Sequence, residues 1–147
     1  MTTEDSGTIS AKNGHAQCLL CGDQNPWSLK LSFQAGDDGV VKASFKAHPA
    51  LQGYSGFLHG GAIAALLDAA MTHCLFHHGV QAVTGDLHVR FVQPVSCNAA
   101  LDIQAWILSS TPPLYRSRAE IIHENRVMAW AEAKFMQSPT LRANLQG

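Results

Sequence analysis

Residues 58–79 read LHGGAIAALLDAAMTHCLFHHG, and this stretch decides the fold. Ala, Leu and Met dominate it, residues that lose little freedom in a helix, while Gly79 stands where a helix would stop. The spacing predicts a helix of about five turns. Ala62, Ile63, Ala65, Leu66, Leu67, Ala69, Ala70 and Met71 leave no consistently polar face, the mark of a helix buried in a core. A membrane span would need about 18 to 20 uninterrupted apolar residues. Asp68 breaks the run early, so the helix is expected at the centre of a soluble domain, with one carboxylate in otherwise uncharged surroundings.

Outward from the helix the period changes from 3.6 to 2. Leu29, Leu31 and Phe33 alternate with Lys30 and Ser32, Gly36-Asp37-Asp38-Gly39 reads as a hairpin loop, and Val41, Ala43 and Phe45 return. On the C-terminal side four more strands are expected. They run through Leu87, Val89 and Phe91 up to Pro94; Leu101 to Ile107, closed by Pro112-Pro113; Tyr115 to Ile121; and Val127 to Phe135, after a reversal at Glu124-Asn125. Two strands, a long helix and four strands with short connections define an α+β domain. One antiparallel sheet would wrap the central helix and keep its edges available for a second subunit.

The chain has 147 residues, enough for one domain with a sizeable core. No linker divides it. The domain is expected over 17–138, between a mobile N-terminal tail, 1–16, and a loose C-terminal tail, 139–147. A formal net charge of −1 offers no general attraction to nucleic acid or an anionic membrane. The polar N-terminus lacks the apolar core of a signal peptide, which points to the cytoplasm, and four cysteines fit a reducing compartment. Cys18 and Cys21 form one CxxC without a second to complete a four-thiolate zinc site. Although His15 could add a ligand, a turn shaped by Gly22, Asn25 and Pro26 is the expectation, and no metal is expected.

The segment HGGAIAALLDAAM, residues 59–71, resembles the HGGxxxxLxDxA signature of the hotdog-fold acyl-CoA thioesterases. The branch it resembles is that typified by the phenylacetic-acid-degradation thioesterase (PaaI-like). The strand order from Leu29 to Phe135 extends the resemblance, as does Cys18-Leu19-Leu20-Cys21-Gly22 with Asn25-Pro26. It implies hydrolysis of an acyl thioester to a carboxylic acid and free CoA, with CoA entering as part of the substrate and no cofactor. It also implies a homodimer, or a dimer of dimers, with sites shared between subunits.

The chemistry of the stretch fits such a site. Gly60 and Gly61 fall in the first helical turn, where amides lack intrahelical partners and the helix dipole favours negative charge. They could polarise a thioester carbonyl and hold the oxyanion. Asp68 lies eight residues beyond Gly60, about 12 Å by helical rise, too far for both to touch one reaction centre. Two antiparallel helices across a two-fold axis would bring Gly60 of one subunit to Asp68 of the other. By resemblance, Asp68 is the general base or the nucleophile, and Thr84 orients the water or the carboxylate. His59 is expected to brace the loop beside the substrate, and Gln52 to stand in for the Asn or Gln that some relatives carry upstream of HGG.

Other candidates are weaker. His73 and His77 have i,i+4 spacing but no HExxH, so with His78 they are expected to complement the helix C-terminus. Arg90, Arg116, Arg118 and Arg126 could meet the phosphates of CoA. Two alternatives stand beside hydrolysis. One is a hotdog hydratase or dehydratase using His48; the other is a non-catalytic acyl-CoA-binding module, which would have no need of Asp68.

Overall fold

The helix spans Gly60–His77 (α1), five turns, in a computed structural model that describes residues 14–138. Most of both expected tails, 1–13 and 139–147, lies outside the described residues. Residues 14–16 do not behave as a tail, because the His15 ring packs edge-on against Phe76 at 4.9 Å. Around the helix run β1 (Gln34–Ala35), β2 (Val41–Lys46), β3 (Val83–Phe91), β4 (Ala100–Thr111), β5 (Leu114–His123) and β6 (Arg126–Met136). A single 3-10 turn, Pro49–Leu51, interrupts the connection from β2 to α1.

All six strands form one antiparallel sheet in the order β1-β2-β4-β5-β6-β3. The hairpins at 36–39 and 124–125 form where expected. Gly39 takes a φ of 80°, and Glu124 and Asn125 take 50° and 64°, the left-handed pair that matches strand twist in a two-residue hairpin. The third connection differs from expectation: β3 does not fold back on β4 but crosses to pair with β6, becoming an edge.

The alternation at Leu29, Leu31 and Phe33 is real in burial but does not make a strand. Leu29 and Leu31 donate backbone bonds to Leu19 and Leu20 carbonyls, both at 2.9 Å, and Lys30 has a φ of 54°. The N-terminal segment thus supplies partners that a sheet would otherwise provide, and β1 is left with two residues.

The inner face of the sheet is rich in alanine. Ala105, Ala119, Ala129 and Ala131 are fully buried, and their small side chains let α1 lie close to the strands. Ile63, Leu66, Leu67, Ala70 and Met71 of the helix fill that interface; each buried Leu or Met contributes roughly 1.5–3 kcal/mol. The helix is not buried all round, however. Ala64, Ala65, Asp68 and Thr72 are half-buried and Gly61 is exposed, a stripe of mostly small residues at helical spacing that the sheet does not cover. Beside it, Val83, Leu87 and Phe91 of the edge strand are 44%, 37% and 51% exposed.

Candidate active site

His59 caps α1. Its backbone is extended (φ −63°, ψ 137°), and its Nδ1 accepts the Gly61 amide at 2.8 Å while its carbonyl accepts from Ile63 at 3.1 Å. An imidazole thus takes the place of the usual Ser or Asp cap. Gly53 closes against the same histidine, since a Cβ there would come within 3.2 Å of His59 Cα. The expected bracing role of His59 therefore takes the form of a cap, and it occupies the Gly61 amide. The Gly60 and Ala62 amides have no acceptor among the described residues. A Cβ on Gly60 would rest 3.5 Å from the Phe91 ring. Gly60 lines an apolar cleft of about 480 Å³ with Tyr54, Phe57, Ile63, Phe91 and Pro94.

Gln52 serves the loop before the helix. Its Oε1 accepts the Gly56 amide at 3.0 Å, and its backbone bridges Leu58. His48 accepts the Ala50 amide at 2.9 Å and caps the 3-10 turn.

Asp68 is half-buried two turns along α1. Thr84 Oγ1 donates to its Oδ1 at 2.7 Å. The two are joined because β3 starts beside the middle of the helix, and the ladder between β3 and β6 shifts register between Thr84 and Asp86. Such a bulge re-aims a side chain locally. Gly85 is the signal for it in the sequence, since an isolated glycine inside a strand pattern marks a bulge. One carboxylate oxygen is thereby pinned and the other is left to accept a proton. Asp68 lines a second, smaller cavity of about 100 Å³, with His15, Cys18, Cys21, Ala65 and His73 around it. Burial pulls the pKa of His15 below the usual histidine value, partly offset by the Asp68 charge.

The helix histidines divide. His78 Nδ1 bonds the Cys74 carbonyl at 2.9 Å near the C-terminus, as dipole complementarity requires. His73 does not share that role: it is only 2% exposed and stacks on Phe33 at 4.6 Å. Nothing local in the sequence signals this, because the rings that cover it, His15 and Phe33, come from a distant segment of the chain.

Among the arginines, Arg118 is engaged on the outer sheet face. It pairs with Glu132 at 3.2 Å and Glu120 at 3.5 Å and lies over Trp130 at 4.3 Å. Arg90, Arg116 and Arg126 are exposed.

The family model described as thioesterase superfamily matches residues 55–127. Over 63 residues the chain is 36% identical to the acyl-coenzyme A thioesterase THEM4 of Bos taurus, covering 43% of this chain and 25% of that protein. This alignment thus spans about a quarter of the length of that curated relative. Among solved structures, the thioesterase superfamily protein RHA08564 superposes with a TM-score of 0.79 at 22% identity, covering 88% of this chain and 66% of the other. The E. coli PaaI protein of the phenylacetic acid degradation operon superposes at 0.69 with 18% identity, covering 75% and 80%.

Proposed function

We propose that this chain, which belongs to the thioesterase superfamily and has its hotdog fold, is an acyl-CoA thioesterase whose sites are shared between two copies. The observation that carries this reading is the separation of the two half-sites. Gly60, with its open amide, lines one cavity and Asp68, held by Thr84, lines another, about 12 Å apart along a single helix. The part-exposed helix stripe and the exposed apolar side chains of β3 lie together. Pairing that edge with a second copy would satisfy its free backbone groups and set the two helices side by side.

In the composite site, the Gly60 amide of one subunit binds the thioester carbonyl oxygen. Asp68 of the other acts as general base, its Oδ1 held by Thr84 and its Oδ2 taking a proton from water. The water oxygen bonds to the carbonyl carbon, and the oxyanion is held by Gly60. Collapse breaks the C–S bond, and the CoA thiolate recovers the proton from Asp68. The apolar cleft beside Gly60 receives the acyl group, and exposed Arg90, Arg116 and Arg126 are candidates for the CoA phosphates. No metal or redox cofactor takes part in this route. Dimers could pair further into tetramers through the outer sheet face. The formal net charge of −1 speaks against nucleic acid or an anionic membrane as partner, and a cytoplasmic setting belongs to the same reading. No helix among the described residues is long and apolar enough to cross a membrane.

Subunit complementation tests the reading. Gly60→Val and Asp68→Asn should each abolish CoA release from an acyl-CoA. When the two are co-expressed, mixed dimers carry one doubly impaired and one intact site, restoring about a quarter of wild-type activity for random pairing. Sites contained within single chains would give no recovery, and that result would remove the shared-site mechanism.

A further inference from the structure

We propose that His15, Cys21 and His73, with Cys18 as the fourth ligand, form a zinc site that pins the N-terminal segment to α1 beside the Asp68 cavity. The ligand atoms of the first three residues all lie within 4.8 Å of one another. His15 Nδ1 and Cys21 Sγ are 3.4 Å apart. Nitrogen and sulfur bound at about 2.0 and 2.3 Å on a tetrahedral zinc ion sit ~3.5 Å from each other. The CxxC turn is tightly built: the Leu20 amide points at Cys18 Sγ at 3.3 Å, and a Cβ on Gly22 would meet backbone atoms at 2.5 Å. Cys18 and Cys21 both line the cavity that holds His15 and His73.

The independent observation is His73. Among the described residues two polar side chains are fully buried. Ser117 donates to the Trp106 carbonyl at 2.8 Å, whereas neither ring nitrogen of His73 has any partner. A buried polar group left unsatisfied costs about 1–3 kcal/mol. A thiol–imidazole bond between Cys21 and His15 accounts for those two residues and leaves His73 orphaned. A metal gives each of the three residues a partner and takes up one of the two ring nitrogens of His73, because a neutral imidazole donates its single lone pair and each thiol binds after releasing its proton to water. The mixed sulfur and nitrogen set selects zinc-like ions over Mg2+ and Ca2+. Three of the four residues come from, or directly beside, the CxxC and the fourth from α1, so the ion would join two segments that otherwise meet through few polar contacts.

Untagged protein purified without chelator should contain about one zinc per chain by elemental analysis. Replacing it with Co2+ should produce tetrahedral visible bands and a thiolate charge-transfer band. Cys21→Ser and His73→Gln should each weaken Co2+ binding by at least about tenfold, while His77→Gln, exposed on the same helix, should leave it unchanged. If either variant fails to fold, the wild type decides: chelator should lower its Tm and added zinc restore it. Absence of zinc with no saturable Co2+ binding overturns the site. So does a thiolate charge-transfer band that survives in the Cys18→Ser/Cys21→Ser double variant.

Discussion

Thr84 Oγ1 lies 2.7 Å from Asp68 Oδ1 and donates to it, tying the middle of the central helix to the bulged start of the edge strand. A hydrogen bond to a charged group contributes about 1.5–3 kcal/mol. Thr84→Val keeps the shape and removes the donor, so kcat should fall roughly tenfold to a hundredfold with little change in KM. Thr84→Ser should recover most of the loss. Equal activity in the Val and Ser variants would show that the hydroxyl does not act through Asp68.

Asp68 as general base leaves its own oxygens in place. A single turnover in water enriched in 18O should put the label into the product acid and none into the protein. Label found on Asp68 after several turnovers would identify the carboxylate as a nucleophile instead.

Gly60→Ala separates activity from stability. The new methyl meets the Phe91 ring at an ordinary 3.5 Å, and alanine favours a helix by about 1 kcal/mol over glycine, so Tm should hold or rise. The methyl would nevertheless crowd the amide proposed to receive the carbonyl, and kcat/KM should drop at least about tenfold. Gly61→Ala should behave differently, since its methyl would press on His59 Nδ1 at 3.1 Å and disturb the cap.

Leu87 sits on the exposed edge strand. In the proposed dimer, Leu87→Glu would place like charges near the two-fold axis, where their juxtaposition costs several kcal/mol. Sedimentation should show the wild type as a dimer and this variant as a monomer at the same concentration, and the variant's activity should rise with protein concentration. A monomeric variant with full activity would contradict the shared site.

Burial raises the pKa of Cys74 to about 12 from its ordinary value of 9.0. The folded chain then holds a proton that the unfolded chain loses, so stability falls as pH rises above 9, by about 1.4 kcal/mol per unit at most for this thiol. Urea midpoints between pH 8 and 10 should fall less in Cys74→Ala than in the wild type. At pH 8 Cys74 should resist alkylation until the protein unfolds.

The helix over 60–77 and five of the strands were legible in the sequence because their periods are local. A 3.6-residue or two-residue repeat of apolar side chains records which face is buried. HGG and the acid eight residues after Gly60 were legible for the same reason, since helical rise alone sets their separation. Sheet order was not, because nothing within Val83–Phe91 states whether β4 or β6 lies beside it. The edge position of β3 and the meeting of Thr84 with Asp68 follow from that pairing, while 29–33 stays out of the sheet because its amides bond the Leu19 and Leu20 carbonyls instead. His15, Cys21 and His73 were visible as residue types, yet 52 positions separate the last two. Only the folding of the N-terminal turn over the helix brings their side chains together, through contacts whose energy depends on the assembled core and not on neighbours in the chain.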